Sequence, residues 1–258
     1  YRSKGIEIVR DKSDSSLARM LAVLDHFSEH RTHLSPEDVS AELGVSLPTA
    51  YRYLKTMSDA GLLRRSSESS YTLGPRVVML DHLIRQNDPV LQCALPHMQQ
   101  LVSDTGLDCV LSALHGDQLL DTHREFSAAP AHLSYGRGRP RPLFQGAAPK
   151  VILASLPATR LRRLIERHLT EVIAAGLPAT WPELRRYFHR IKKEGCYSSM
   201  GELEPNLAAL AVPLATARGD VVAALSLVTT VPRMAVFERE ALKRLLQHAA
   251  RNIGTRLA

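Results

Sequence analysis

The chain has 258 residues, of which 45% are hydrophobic and 23% charged, and its formal net charge is +7. This length suits one large domain or two modest ones, and the hydrophobic share is ordinary for a globular protein. The longest nearly apolar stretch, residues 207–217, is too short to span a bilayer, and the first residues lack the apolar core of a signal peptide. We therefore expect a cytoplasmic protein with no membrane partner.

Cysteine and histidine patterns argue against a metal site or a disulfide framework. The three cysteines, Cys93, Cys109 and Cys196, are widely spaced and form no CxxC pair, so we expect them to be reduced and mostly structural. The 11 histidines contain no HExxH motif, and we expect them to be scattered core or surface residues. No metal and no cofactor are predicted.

The positive charge is informative only in its distribution. Residues 1–80 hold 11 basic and 10 acidic side chains, so the N-terminal third is nearly neutral. Within it, however, residues 46–76 carry five basic side chains against two acidic ones. A local basic face of this kind can bind phosphates even when its domain is nearly neutral.

Three helices are predicted before residue 62. Apolar residues from Leu17 to Phe27 have helical spacing, with Ser15 or Ser16 as the N-cap. The sequence SPED at 35–38 then supplies a capping serine, a proline for the first turn and two carboxylates for a second helix that ends at Gly44. Ser46 caps a third helix, which runs to Ala60.

A β-hairpin is predicted directly after these helices. Residues 62–65 and 71–73 have strand character and flank a serine-rich turn. Three helices with a tight turn at Gly44, followed by a hairpin, form the plan of a winged helix-turn-helix domain. Three short helices with a glycine turn also occur in proteins that do not bind DNA, including proteins that use them for protein contacts. A function without DNA binding therefore stays open as an alternative.

The third helix has the properties of a recognition helix. Ala50, Tyr53, Leu54 and Met57 share one face, which should pack inward. Arg52 on the outer face can donate to guanine O6 and N7, and Thr49 can hydrogen-bond or contact a thymine methyl group. The predicted DNA-binding residues, which also cover the helix N-terminus and the basic hairpin strand, are Ser46, Pro48, Thr49, Tyr51, Arg52, Lys55, Arg64 and Arg65.

The rest of the chain predicts two connecting helices and an antiparallel α+β domain. Helices are expected at 76–85 and 90–105, and further helices at 145–156, 159–168, 182–194 and 235–257. Strands are expected at 109–114, 119–123, 195–199, 207–213 and 221–229, with turns at Gly116 and Gly219. Hairpin-like strand pairs separated by helices favour an antiparallel sheet over a doubly wound parallel one.

The order and spacing of several motifs resemble the IclR-type bacterial transcription regulators, over about residues 16–257. These motifs are LPTAYRYL at 47–54, AGL at 60–62, YTLGPR at 71–76, GRPRPL at 138–143, AAPK at 147–150, GCY at 195–197, LAVP at 210–213 and VAALS at 222–226. The resemblance implies a winged helix-turn-helix domain at 14–76, a dimerising linker helix at 77–89 and a GAF/PAS-like effector-binding domain at 90–258, in a homodimer or homotetramer. It implies a repressor or activator that binds double-stranded DNA at a near-palindromic operator and is controlled by a small organic or aromatic acid from a catabolic pathway.

Carried over by position, the family's effector pocket contains Leu133, Arg141, Ala147, Ala148, Ser199, Leu207, Ala209, Ser226 and Val228. Relatives that hold small keto acids usually have polar groups or glycine where this chain has Ala147, Ser199, Ala209 and Val228. This more apolar floor favours an aromatic or larger acid, with Arg141 as the expected partner of its carboxylate.

An enzyme, or a metabolite sensor that does not bind DNA specifically, is the alternative function. Ser198 and Ser199 do not lie in a GxSxG nucleophile elbow, and no His and Asp partners are placed for them by sequence. Cys196 is a lone cysteine on a predicted strand, where packing is the usual role. We therefore predict that the protein is not an enzyme.

Overall fold

The structure is a computed structural model that describes residues 15–67, 69–133 and 135–257. The chain divides into two compact units, residues 1–87 and residues 88–258. Residues 14 and 258, where the predicted outer domain boundaries fall, lie outside the described residues. No helix among the described residues is long and apolar enough to cross a membrane.

The first unit contains the three predicted helices, the hairpin and a further helix. Its elements are α1 (Ser16–Leu21), a 3₁₀ segment (Ala22–His26), α2 (Pro36–Leu43), α3 (Leu47–Asp59), β1 (Leu63–Ser67), β2 (Ser70–Leu73) and α4 (Pro75–Asn87). The first helix, predicted as one continuous element, tightens into the 3₁₀ segment after Leu21, as often happens at the end of an α-helix. β1 and β2 are antiparallel.

Local capping fixes where α2 begins and ends. The Ser35 hydroxyl accepts a hydrogen bond from the Asp38 backbone N–H (3.1 Å), and the Asp38 carboxylate accepts one from the Ser35 backbone N–H (2.7 Å). The backbone N–H of Ser35 holds the pKa of the Asp38 carboxyl below its ordinary value. At the other end, Gly44 adopts the left-handed conformation (φ 62°), which glycine tolerates best. The turn before α3 is thereby set by local sequence.

One small core holds the first unit together. Its buried side chains come from the 3₁₀ segment, the loop before α2, the helices α2 and α3, and both strands. They are Val23, Leu34, Val39, Ala50, Leu54, Met57, Leu63 and Tyr71. The hairpin is thus packed on the helices and does not extend freely from them.

The second unit is a six-stranded antiparallel sheet with helices. Its elements are α5 (Pro89–Thr105), β3 (Asp108–His115), β4 (Gln118–Glu125), β5 (Pro140–Arg141), α6 (Ala147–Ser155), α7 (Ala158–Arg167), α8 (Leu169–Ala174), α9 (Trp181–Glu194), β6 (Tyr197–Met200), β7 (Leu207–Ala215), β8 (Val221–Thr230), α10 (Val231–Met234) and α11 (Arg239–Gly254). The strand order is β5-β4-β3-β8-β7-β6, and each neighbouring pair is antiparallel. The predicted antiparallel α+β fold is confirmed.

Three details of this unit differ from the prediction. The two-residue β5 and the short α8 were not predicted, because such short segments have too little periodicity to detect. The last predicted helix, 235–257, is observed as the shorter α11, which ends at Gly254, and the separate short helix α10 lies before it.

Both faces of the sheet are covered by helices. Alternate residues of β3 point to opposite faces, so that Cys109 and Leu111 join a cluster with α5 and α11. On the other face, Ala211 and Ala224 pack with α6 and α9. The part of this second face that α6 leaves uncovered forms the floor of a cavity, described below.

Candidate functional site

The outer face of α3 is exposed, whereas its inner face is buried. Ala50, Tyr53, Leu54 and Met57 are all buried in the core of the first unit, as predicted. Pro48, Tyr51, Arg52 and Lys55 are exposed and Thr49 is half-buried; we call these five residues the recognition face. The structure therefore brings the predicted α3 residues together on one accessible surface.

The N-terminus of α3 lies beside this face. Ser46 occupies the N-cap position, but its hydroxyl bonds to the Thr49 hydroxyl (2.9 Å) and does not bond to a backbone N–H group of the first turn. Those N–H groups carry the positive end of the helix dipole. An anion such as a DNA phosphate can bind them.

The two predicted wing arginines are exposed on β1. Arg64 Nε donates to the Thr72 hydroxyl (3.1 Å), and Arg65 Nε donates to the Ser67 carbonyl (3.0 Å). These bonds hold both guanidinium groups along the hairpin. Arg76, also counted in the basic segment, donates instead to the Ala60 carbonyl (3.5 Å) and joins α4 to the end of α3.

The second unit contains an open cavity on the sheet face that also carries α6. Its volume is about 490 Å³, including the solvent-filled space at its opening. Eight of the nine residues predicted for the effector pocket line it: Leu133, Arg141, Ala148, Ser199, Leu207, Ala209, Ser226 and Val228. The sequence had brought these residues together only through the family resemblance, since they come from four strands, one helix and a loop.

Ala147 is the one predicted pocket residue that does not line the cavity. It is fully buried among the side chains between α6 and the sheet. Neighbouring residues on a helix point in different directions, so Ala148 faces the cavity while Ala147 faces the core. Ala147 therefore supports the wall of the cavity without forming part of its surface.

An ion pair that the sequence analysis missed lies in the cavity wall. Asp121 on β4 is 3% exposed, and its Oδ1 accepts hydrogen bonds from Arg141 Nη1 (2.9 Å) and from the Ser112 hydroxyl (2.7 Å). Asp121 lies two residues after the fully buried Leu119, on the same side of the strand. A carboxylate at an inward-facing position of a strand was the signal that could have identified it.

Two polar groups of the cavity have no hydrogen-bond partner among the described residues. These are Arg141 Nε and the Ser226 hydroxyl, both buried. Because Asp121 binds Nη1, the edge of the guanidinium formed by Nε and Nη2 is left for another group. Buried polar groups without partners carry a cost, and they mark where a ligand would gain hydrogen bonds.

The α6 N-terminus adjoins Arg141. Gly146, which lines the cavity, precedes the first residue of α6 with φ of 91°, a conformation that favours glycine. A Cβ atom at this position would lie 3.4 Å from Arg141 Nη2. The carboxylate of Glu202 already occupies this helix end, because its Oε2 accepts a hydrogen bond from the Gly146 backbone N–H (3.1 Å). The guanidinium edge is therefore the cationic group that remains for a ligand at this part of the cavity.

A buried carboxylate holds the loop that carries Leu133. Asp108 is 1% exposed and accepts hydrogen bonds from the backbone N–H groups of Ser127 (2.7 Å) and Ala131 (2.8 Å), and from Arg124 Nη2 (2.6 Å). Burial alone would raise the pKa of the Asp108 carboxyl, but these hydrogen bonds outweigh burial and hold the pKa below its ordinary value. The charged form of Asp108 therefore stabilises the loop.

A second network joins α6 to the segment after β6. The buried Lys150 Nζ donates to Glu202 Oε2 (2.5 Å), and Tyr197 Oη donates to Glu202 Oε1 (2.8 Å). Burial, with hydrogen bonding to Tyr187 and Glu202, raises the pKa of Tyr197. This network positions Leu203, which contributes to the cavity lining.

The candidate nucleophile Cys196 is not activated. It is 1% exposed, and burial raises the pKa of its thiol. A reactive cysteine requires a thiolate that is accessible to its substrate. The geometry of Cys196 is that of a packed core residue.

Comparison with protein families identifies the chain. A model described as the IclR helix-turn-helix domain matches residues 16–67, and one described as the bacterial transcriptional regulator IclR C-terminal matches residues 82–255. The chain belongs to the IclR family of bacterial transcriptional regulators. The family consists of transcriptional regulators and not of enzymes, which confirms the prediction that this chain is not an enzyme.

Relatives of this IclR-family chain are regulatory proteins, and the match covers most of the length of each. The HTH-type transcriptional regulator XynR of Escherichia coli is 28% identical over 236 residues, which cover 91% of this chain and 93% of XynR. The Pca regulon regulatory protein of Pseudomonas putida is 28% identical over 229 residues, covering 88% of this chain and 78% of the relative.

Solved structures show the same fold. An IclR homologue from Microbacterium hydrocarbonoxydans, complexed with 4-hydroxybenzoate, has a TM-score of 0.73 at 24% identity and covers 94% of this chain and 99% of its own. A putative transcriptional regulator from Rhodococcus sp. RHA1 has a TM-score of 0.74 at 24% identity, with 94% and 97% coverage. The predicted fold class, a winged helix-turn-helix unit followed by an α+β unit, is confirmed.

Proposed function

We propose that this chain binds operator DNA sequence-specifically and that a small organic acid bound in the cavity changes that binding. The recognition face supports the proposed DNA binding, because its side chains are exposed on a helix whose other face is packed in the core. Arg52 would contact guanine, Thr49 would contact a base edge, and the α3 N-terminus would hold a phosphate. Lys55, Arg64 and Arg65 would contact the flanking backbone, which positions the domain.

An electrophoretic shift with the DNA upstream of the chain's own gene tests this part. We expect retardation that unlabelled copies of the same DNA abolish and random-sequence DNA does not. A metabolite sensor or an enzyme without specific DNA binding would give no such preference, and that result would exclude the proposal.

The lining of the cavity favours a ligand with a single carboxylate and an apolar, aromatic body. The Nε–Nη2 edge of Arg141 would bind the carboxylate, while Leu133, Leu207 and Val228 would surround the ring. Asp121 already pairs with Nη1 of Arg141, so only the Nε–Nη2 edge is left for one ligand carboxylate, and a second carboxylate on the ligand would have no partner. The 4-hydroxybenzoate bound to the Microbacterium homologue is an acid of this class.

A thermal-shift comparison of 4-hydroxybenzoate with terephthalate, in which a second carboxylate replaces the hydroxyl group, tests the class of ligand. A ligand at 100 times its Kd stabilises the folded state by about 2.7 kcal/mol, so the monoacid should raise Tm and the diacid should not. Arg141→Lys keeps a charge beside Asp121 but removes the two-nitrogen edge, and it should abolish the shift. If the shift survives in Arg141→Lys but is lost in Val228→Asp, the cavity is correct and Arg141 is not the carboxylate partner.

We further propose that α4 joins two copies of the chain, giving a dimer or, where two dimers associate, a tetramer. Most of the apolar side chains of α4 are exposed, with Val78 72% and Ile84 62% accessible. A single winged helix covers one half-site, and a two-fold dimer would bind a near-palindromic operator. Sedimentation should show at least a dimer, and Ile84→Glu should shift it towards monomer; a wild-type monomer at micromolar concentration would contradict the proposal.

A further inference from the structure

The outer side of α9 is a continuous basic surface. Leu184, Phe188 and Ile191 are buried and fasten the inner side of the helix to the core. Between residues 185 and 193, every exposed residue is basic. We call this set the α9 basic face: Arg185, Arg186, His189, Arg190, Lys192 and Lys193.

The six side chains form one patch. With 3.6 residues per turn, they fall within an arc of roughly 160° and span about 12 Å along the helix. The two acidic residues of α9, Glu183 and Glu194, lie at its ends, where Glu183 accepts a hydrogen bond from Thr180 and Glu194 pairs with Arg239. Among the described residues, neither carboxylate forms an ion pair with a side chain of the face.

The charge of this face is also not balanced by other parts of the unit. Within the described residues, no ion pair or hydrogen bond joins a side chain of the α9 basic face to a carboxylate. The nearby helix α7 differs, because its Arg162 pairs with Glu166 and its Arg167 with Asp117. Lys192 and Lys193 are favourable at the end of a helix, but that leaves the earlier arginines unexplained, and like charges at this spacing repel each other.

The chemistry of the face selects among partners. It contains no exposed apolar or aromatic side chain, whereas protein interfaces have an aromatic and apolar centre, and a helix lying in a membrane surface needs an apolar face to bury. A face of arginine, lysine and one histidine is suited to phosphates.

We propose that the α9 basic face binds the phosphate backbone of duplex DNA without recognising sequence, as a second contact outside the helix-turn-helix unit. The choice of DNA rests on the proposed function, because binding through α3 would keep duplex DNA at a high effective concentration near the second unit. Contacts of this kind act through release of counterions from the DNA, so they appear in the salt dependence of binding.

The test compares two full-length triple variants of equal net charge. Arg186→Gln/Arg190→Gln/Lys193→Gln neutralises the α9 basic face. The control, Arg218→Gln/Arg244→Gln/Arg251→Gln, removes three exposed positive charges elsewhere in the same unit. Glutamine preserves helix propensity, and circular dichroism would verify that both variants fold.

The measurement is the binding of a random-sequence 60-base-pair duplex as a function of salt concentration. Loss of three phosphate contacts should lower the log–log slope by about 2 to 3 units in the α9 variant, and by less than one unit in the control. The preference for operator over random DNA should stay unchanged in the α9 variant. Arg52→Ala should do the reverse, losing the preference and keeping the slope, so failure of the proposed operator binding is distinguishable from failure of this surface.

Equal slopes in the two triple variants would overturn the proposal, because overall charge and not the α9 basic face would then govern binding. Absence of any salt-dependent binding by the wild type would overturn it too. So would an unchanged DNA slope together with loss of binding to anionic lipid vesicles, since the partner would then be a membrane surface.

Discussion

The recognition face and the cavity are built in opposite ways. The recognition face comes from consecutive residues of one helix, and its charged groups are exposed. The cavity comes from strands and a helix that are far apart in sequence, and its main charged groups, Asp121 and Arg141, are already paired with each other. A surface made by one helix follows from periodicity, whereas a cavity depends on pairing between distant segments, and substitutions should affect the two differently.

The largest effect is expected at a buried carboxylate beside the cavity. Asp108→Ala leaves Arg124 without its carboxylate partner and two backbone N–H groups without an acceptor. It should lower the free energy of unfolding by about 3 to 5 kcal/mol. Asp220→Ala, in an exposed turn, should change it by less than about 0.5 kcal/mol. Thermal or urea denaturation measures both; equal effects would contradict the role of Asp108.

The same variant has a characteristic pH dependence. The pKa of the Asp108 carboxyl is lowered in the folded state, so its contribution is complete above the ordinary aspartate pKa and is lost as the pH falls through the folded-state value. The stability difference between wild type and Asp108→Ala should therefore be constant near neutral pH and shrink in acid. A difference that grows in acid would contradict this assignment.

At the recognition face, the effect should be on binding and not on stability. Arg52 is exposed, so Arg52→Ala should leave Tm nearly unchanged and reduce operator affinity by about 1 to 3 kcal/mol if it contacts guanine in bidentate fashion. Fluorescence anisotropy with operator and random duplexes gives both affinities. Unchanged operator affinity in a folded variant would remove Arg52 from the interface.

Two N-cap serines offer a sharper comparison. Ser35 caps backbone N–H groups, so Ser35→Ala should cost about 1 kcal/mol of stability. The Ser46 hydroxyl bonds to the Thr49 hydroxyl and not to a backbone N–H group. Ser46→Ala should therefore lower stability less than Ser35→Ala does and should act mainly on DNA affinity. Denaturation of both variants decides, and equal losses would show that Ser46 also caps its helix.

The smallest effect is expected at the wing. Arg64→Ala should weaken operator and random DNA similarly and lower the log–log salt slope by about one unit. A change in the preferred base would instead show that the wing recognises sequence.

The sequence by itself determined the longer helices and strands and the recognition face. The capping residues Ser35 and Gly44 act within a few residues of the helix ends that they fix, and the apolar period of α3 separates its buried face from its exposed face. These features depend on local interactions, so the pattern along the chain was sufficient. The pocket residues were also placed from the sequence, but through resemblance to a family and not through any local pattern.

Only the tertiary structure decided how the polar groups pair. Asp121 and Arg141 are 20 residues apart and meet because β4 lies between β3 and β5. The packing of α6 on the sheet directs Ala148 into the cavity wall and leaves Ala147 in the core. Likewise, Ser46 fits the pattern of an N-cap as well as Ser35 does, but its hydroxyl bonds to a side chain. Each outcome depends on the distance and direction between groups brought together by folding, which spacing along the chain does not specify.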